Sequence, residues 1–254
     1  MRIFRASSAD ANILYHDIPG SGAPLVFIHG LGCASSSDYP SVVSDAMLAG
    51  RRSILVDLLG SGFSERPSDF SYSVDDHARC VAELVQHICS GPISIFGHSM
   101  GGAVAIRLAT MFGAQVEKLA LSEPNLDPGG GLFSRKIASM SEDEYVAHGH
   151  RDLIGAAKAE GNLVWAASLA VTAAFAVHRG AASLVAGCEP TWREMLYGLR
   201  LPRTIIFGEY SLPNADFDRL QQHGVGVDVV PAAGHSMASD NPTGLAVALG
   251  RALS

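Results

Sequence analysis

Residues 97–101 read Gly-His-Ser-Met-Gly, and they sit between two unlike stretches. Before them runs Pro92-Ile93-Ser94-Ile95-Phe96, an apolar strand; after them Gly102-Ala103-Val104-Ala105-Ile106 opens a helix with no breaker before Phe112. A sharp strand-to-helix turn with a glycine two residues to either side lets neighbouring backbone pass closely, so that Ser99 stands clear of a sheet. A serine hydroxyl is a poor nucleophile unless it is positioned and its proton is removed, and such a turn supplies the positioning. The helix starting at Met100 points free N–H groups at the same spot, so the Met100 N–H is a natural donor to a developing oxyanion. Alone, the pattern is weak, and a small-residue turn that happens to hold a serine fits it as well.

Working outward, two further glycine turns follow apolar runs. His29-Gly30-Leu31-Gly32 comes directly after Leu25-Val26-Phe27-Ile28. Its backbone would open at the same sheet edge, with Leu31 N–H as a second oxyanion donor and His29 bonded to backbone. Ala233-Gly234-His235-Ser236-Met237 comes directly after Val227-Asp228-Val229-Val230. A base on that loop and a serine on a middle strand end can meet above a sheet, which makes His235 the candidate general base. His16, His77, His87, His148, His150, His178 and His223 are read as structural. His148 and His150 are two apart, a spacing that no helix places on one face, and no carboxylates cluster near them, so no metal is expected.

Other short apolar runs, Ser53–Val56, Leu119–Leu121 and Thr204–Phe207, have the look of buried parallel strands. Helical patterns alternate with them: Val74–Ile88 after the cap Ser73, Met100–Phe112, and a last helix from Pro242 after the cap Asn241. Residues 3–18 alternate weakly and read as a hairpin or two edge strands. The alternation predicts an α/β domain, a mostly parallel sheet with helices on both faces. It breaks over 125–200. That region leaves the core through Asp127-Pro128-Gly129-Gly130-Gly131 and carries two capping boxes, Ser141-x-x-Glu144 and Thr191-x-x-Glu194. The expected organisation is a core of 1–124 and 201–254 with a helical lid of three or four helices over 125–200.

Composition narrows the function classes. The chain has 254 residues, 48% hydrophobic and 17% charged, with a net charge of −7, so it supports a large core and no long disordered tail. Basic residues are scattered, which disfavours nucleic acid as a partner. The N-terminus lacks the apolar run of a signal peptide, and the longest lipophilic stretch, 163–177, is shorter than the ~20 residues of a bilayer span. The four cysteines have no CxxC spacing, so reduced thiols and a cytoplasmic location are the default expectation. Neither a dinucleotide fingerprint nor a P-loop is present, and no cofactor is expected.

With these motifs in order, the sequence resembles the α/β-hydrolase superfamily over nearly its whole length. The resemblance rests on the His29-Gly30 turn, Asp57-Leu58-Leu59-Gly60-Ser61-Gly62-Phe63-Ser64, the Gly97–Gly101 elbow and Ala233-Gly234-His235. It implies Ser99 as nucleophile, His235 as general base, oxyanion donation from the backbones of Leu31 and Met100, and a helical lid between the sixth and seventh strands. It implies a structural turn at Asp57. The triad acid departs from the pattern: where many members carry an aspartate after the seventh strand, this chain reads Gly208-Glu209-Tyr210-Ser211. Glu123, after the sixth strand, is the preferred acid because some relatives carry theirs there. Asp216 or Asp218, or no working acid, are the alternatives.

A serine at the elbow implies an acyl-enzyme, and hence a carboxylic ester of small to medium apolar character as the small-molecule substrate. Relatives that open epoxides or remove halides use aspartate there. A lactone or a carbon–carbon bond hydrolysed by the same machinery is the alternative, and a non-catalytic receptor is the rival from another class. In the alanine-rich stretch, Trp165 and Leu169 are the candidate substrate contacts, with plain helix packing as the competing reading.

Overall fold

A computed structural model describes residues 1–254. Eight strands form one sheet: β1 Arg2–Ala6, β2 Ala11–Ile18, β3 Ser21–Ile28, β4 Arg51–Val56, β5 Ile93–His98, β6 Val116–Ser122, β7 Arg203–Gly208 and β8 Gly226–Val230. Their order is β1-β2-β4-β3-β5-β6-β7-β8. β1 and β2 form an antiparallel hairpin, β2 runs antiparallel to β4, and every other pair is parallel. The weakly alternating first segment is thus a hairpin, but only β1 lies at the edge. β2 is interior because Tyr15 to Ile18 pair with Val56 to Ser53.

The central strands are apolar on both faces because both faces are covered. Helices Val74–Ile88 and Met100–Phe112 pack on one side, in a cluster that includes Val26, Ile28, Ile95, Leu119 and Leu121. Helix Pro242–Ala252 and the short turns at 35–43 pack on the other, around Leu25, Phe27, Phe96 and Leu249. The helix starts are set by side-chain caps: Ser73 Oγ accepts from Asp76 N–H, and Asn241 Oδ1 accepts from Gly244 N–H with Pro242 in the first turn. β3 lies between β4 and β5, so the chain order reverses there. The crevice outside the carboxyl ends of such strands is where open α/β sheets bind ligands.

Between β6 and β7 the chain runs through helices Leu132–Ala138, Glu142–Glu144, His150–Ala159, Leu163–Ala170, Ala174–Ala186 and Trp192–Gly198, two or three more than the sequence suggested. Both capping boxes form as read, at Ser141 and Thr191. The alanine-rich stretch is not one helix. It breaks at 171–173 and turns by 113°. The cause is tertiary: Ala173 N–H donates to Gly60 O (2.9 Å), and Val171 O accepts from the Arg66 guanidinium. Those two bonds draw the backbone onto the core loop and out of the helix. Arg193, nearly buried, donates to both Asp127 and Asp216 and ties the inserted helices to the helix Asp216–Gln222. No single helix is long and apolar enough to cross a membrane.

Candidate active site

Ser99 sits at the joint of β5 and the helix Met100–Phe112, with φ 52° and ψ −118°. A left-handed φ on a serine costs about 1–3 kcal/mol and persists only where the surroundings over-determine it. Here they do. Ser99 N–H donates to Ser122 O (3.0 Å), while Ser99 O accepts from Gly102 N–H (2.9 Å) and Asn125 N–H (3.2 Å). The flanking glycines are required by space: a Cβ on Gly101 would strike the carbonyls of Ile28 and His29, and one on Gly97 would strike the Gly101 carbonyl. The N–H groups of Leu31 and Met100 have no acceptor within the protein. Leu31 is held from its other side, where its carbonyl accepts from Trp165 Nε1–H (3.0 Å).

His235 arrives on the loop after β8. Its Nδ1–H donates to Glu123 Oε2 at 2.7 Å, and the other carboxylate oxygen, Oε1, accepts from Gly208 N–H at 2.9 Å. A carboxylate only accepts, so this contact places the proton on Nδ1 and leaves Nε2 of the neutral ring as the free base. Glu123 itself has φ 39° and is pinned by its own N–H to Ile206 O (3.2 Å). Burial pushes the Glu123 carboxyl up, but the hydrogen bonds from His235 and Gly208 N–H outweigh it and bring the pKa down to about 2.

The other carboxylates have different duties. Asp216 is paired with Arg193 (2.9 Å), and Asp218 is exposed. Asp57 accepts from Ser36 N–H, Ser36 Oγ–H and Phe63 N–H, the structural turn expected of it. His29 is fully buried; its Nε2 accepts from Leu58 N–H (3.0 Å), so its Nδ1–H donates to Gly30 O (2.8 Å) and fixes the turn that carries Leu31.

Comparison with known proteins bears on the fold. The family model for the alpha/beta hydrolase fold matches residues 23–147. An esterase from Exiguobacterium antarcticum superposes with a TM-score of 0.78 at 19% identity, covering 99% of each chain. The chain has the α/β-hydrolase fold.

Among curated relatives, haloalkane dehalogenase 2 of Mycobacterium tuberculosis is 31% identical over 139 residues, 52% of this chain and 46% of that one. The chain thus matches about half the length of such dehalogenases. An esterase of the same organism is 26% identical over 258 residues, 89% of this chain and 81% of the relative.

In this fold, Ser99, Glu123 and His235 all line one cavity of about 460 Å³. Trp165 lines it too, packed on Phe133 with ring centroids 4.7 Å apart. Leu169 does not. It is fully buried against Gly32, and its carbonyl faces His150 Nε2 (2.9 Å). The apolar wall comes instead from Leu126, Leu184, Ile205, Phe207 and Leu220, and Asn125 adds a polar point. Sequence reasoning missed these. Ile205 and Phe207 share one face of β7 by its period of two, a signal that was available; the others converge only through the fold. His98, unremarked in the motif, forms part of the wall. Burial pushes its pKa down to about 3, so it is neutral, with Nδ1 against Ser122 Oγ (3.0 Å) and its ring 4.7 Å from that of His235.

Proposed function

We propose that this protein of α/β-hydrolase fold is a serine hydrolase of carboxylic esters that works through an acyl-enzyme. The observation that carries the reading is the 2.7 Å contact between His235 Nδ1 and Glu123, at the rim of the cavity that also holds Ser99. In this reading His235 Nε2 takes the Ser99 proton as Oγ attacks the ester carbonyl carbon. The Leu31 and Met100 N–H groups receive the oxyanion. As the tetrahedral adduct collapses, the bond to the leaving alcohol oxygen breaks, and His235 passes the proton to that oxygen. Water then attacks the acyl-enzyme with the same base, and the acid is released as Ser99 regains its proton. Glu123 stabilises the imidazolium in both halves and keeps its own proton state throughout.

The apolar wall of Leu184, Ile205, Phe207 and Leu220 suits a small to medium acyl chain. The inserted helices serve as the lid over it, with Trp165 joining lid to oxyanion turn. The resemblance to dehalogenases does not extend to their reaction in this reading, because the elbow carries Ser99 where halide-removing relatives carry aspartate.

The test is hydrolysis of p-nitrophenyl esters of increasing chain length by the wild type and Ser99→Ala, with fluorophosphonate labelling alongside. Turnover and labelling that both vanish in Ser99→Ala are expected. A folded wild type that neither turns over nor labels overturns the reading in favour of a receptor. Labelling without ester turnover moves the substrate to a lactone or a diketone.

A further inference from the structure

A second cavity of about 230 Å³ lies beside the first and shares Cys33, His98, Asn162, Trp165 and Ser236 with it. Its character differs. The first cavity sets Leu126, Leu184, Ile205 and Leu220 beside Asn214 and Asp216; the second runs between the loop after β3 and residues 236–239, and is lined by Asp38, Tyr39, Ser41 and Ser239. Tyr39 is 1% exposed, and its ring is wedged between Phe27 and Phe96, with centroids 5.1 and 5.5 Å away. Its hydroxyl is buried and has no hydrogen-bond partner. A buried hydroxyl left unpaired in a rigid ring needs an explanation, and a ligand that completes it is one. Asp38, next in the chain, accepts from Ser37 Oγ–H (2.9 Å) and has no lysine or arginine partner.

We infer that this second cavity is the alcohol-side subsite and takes a neutral polyhydroxy leaving group, with the Tyr39 hydroxyl and the Asp38 carboxyl as its polar contacts. The inference rests on the ester-hydrolase reading for the word alcohol, but the binding preference stands apart from turnover. Three features choose the chemistry. The cavity has no cationic side chain, and His98 is neutral, so a carboxylate or phosphate ester finds nothing to pair with. Burial raises the Asp38 pKa, which weakens its claim on a cation and leaves it able to meet hydroxyls in either protonation state. Serine and tyrosine hydroxyls both donate and accept, which matches vicinal alcohols. Position chooses the side. The cavity is walled by the residues that directly follow His235, the group that must protonate the departing oxygen, whereas the larger cavity, with Leu184, Ile205 and Leu220 in its wall, accommodates an acyl chain.

The experiment uses the Ser99→Ala protein, which keeps esters intact, and calorimetric titration with 2,3-dihydroxypropyl butanoate, propyl butanoate and choline butanoate. The diol ester is expected to bind about tenfold more tightly than the propyl ester, the gain of one or two hydrogen bonds. Tyr39→Phe, which keeps the ring and removes only the hydroxyl, is expected to narrow that gap, and Asp38→Asn is a second, independent probe of it. Equal binding of diol and propyl esters overturns the inference, as does a preference that survives both substitutions, or tighter binding of the choline ester. In parallel the wild type is assayed on the same esters. Retained diol preference in Ser99→Ala with no wild-type turnover supports the subsite and refutes ester hydrolysis; turnover without preference does the reverse.

Discussion

Replacing Glu123 by Gln asks the most of the site, and its effect follows from two hydrogen bonds. The carboxylate has two accepting oxygens, and both are used: Oε1 by Gly208 N–H at 2.9 Å and Oε2 by His235 Nδ1–H at 2.7 Å. Glutamine has one oxygen and one NH₂. Gly208 N–H is a fixed donor at the end of β7, and facing it with NH₂ would leave a buried donor unpaired at about 1–3 kcal/mol. The amide oxygen therefore goes to Gly208, and the NH₂ turns to His235. An NH₂ there needs Nδ1 as acceptor, which moves the ring proton to Nε2, the nitrogen that must accept from Ser99. The imidazolium also loses its carboxylate. The matching change in a Ser-His-Asp triad costs about 10⁴ in kcat through the same tautomer error. The His235 side chain is 49% exposed and freer to reorient, so the expected loss is about 10³- to 10⁴-fold in kcat, or about 4–5.5 kcal/mol. The assay is steady-state hydrolysis of p-nitrophenyl butanoate, with circular dichroism and a thermal melt to show the fold intact. A Glu123→Gln protein within tenfold of wild type, with Asp216→Asn inactive but folded, would refute the reasoning.

Three further outcomes are expected. Ser99→Gly relieves the left-handed backbone at φ 52°, worth about 1 kcal/mol, and should melt about 2–4 °C above Ser99→Ala; equal melting points would show that the turn is not strained. Trp165→Phe removes the hydrogen bond to Leu31 O and loosens the turn bearing one oxyanion donor. It should lower kcat about tenfold with a smaller change in KM, and an unchanged kcat would separate the indole from the reaction. Glu123 titrates below its ordinary value of 4.5, at about 2, so its ionised form adds stability that is fully present above pH 4.5 and is lost as pH falls through 2. The gap in urea midpoint between wild type and Glu123→Gln should shrink across that window, and a gap that widens on acidification would contradict the assignment.

Much of the site was legible because its parts are local. The elbow, the Leu31 turn and His235 each follow a strand within a few residues, and the glycines that permit them are visible in the chain. Glu123 was legible by the same rule, as a carboxylate at a strand end. Its rivals were separable only by contact: Asp216 lies near enough in sequence to qualify, yet Arg193, more than twenty residues upstream, claims it. The break at 171–173 was hidden because alanine, valine and leucine favour or tolerate a helix, and the bonds that end it come from Gly60 and Arg66. Leu169 and Leu184 look alike in sequence. One is spent on Gly32 and the other faces the cavity, a difference made by helix rotation within the insertion.

The sequence by itself determined the parallel sheet, the helix caps, the serine elbow and the order in which serine, acid and histidine arrive, because strand burial, capping and tight turns are governed by residues within a few positions of one another. Only the tertiary structure decided which carboxylate holds His235, which side chains wall the cavity, and that Tyr39 brings an unpaired hydroxyl beside it. Those facts depend on contacts between segments dozens of residues apart, and no local pattern records a contact whose two halves are set by the packing of everything between them.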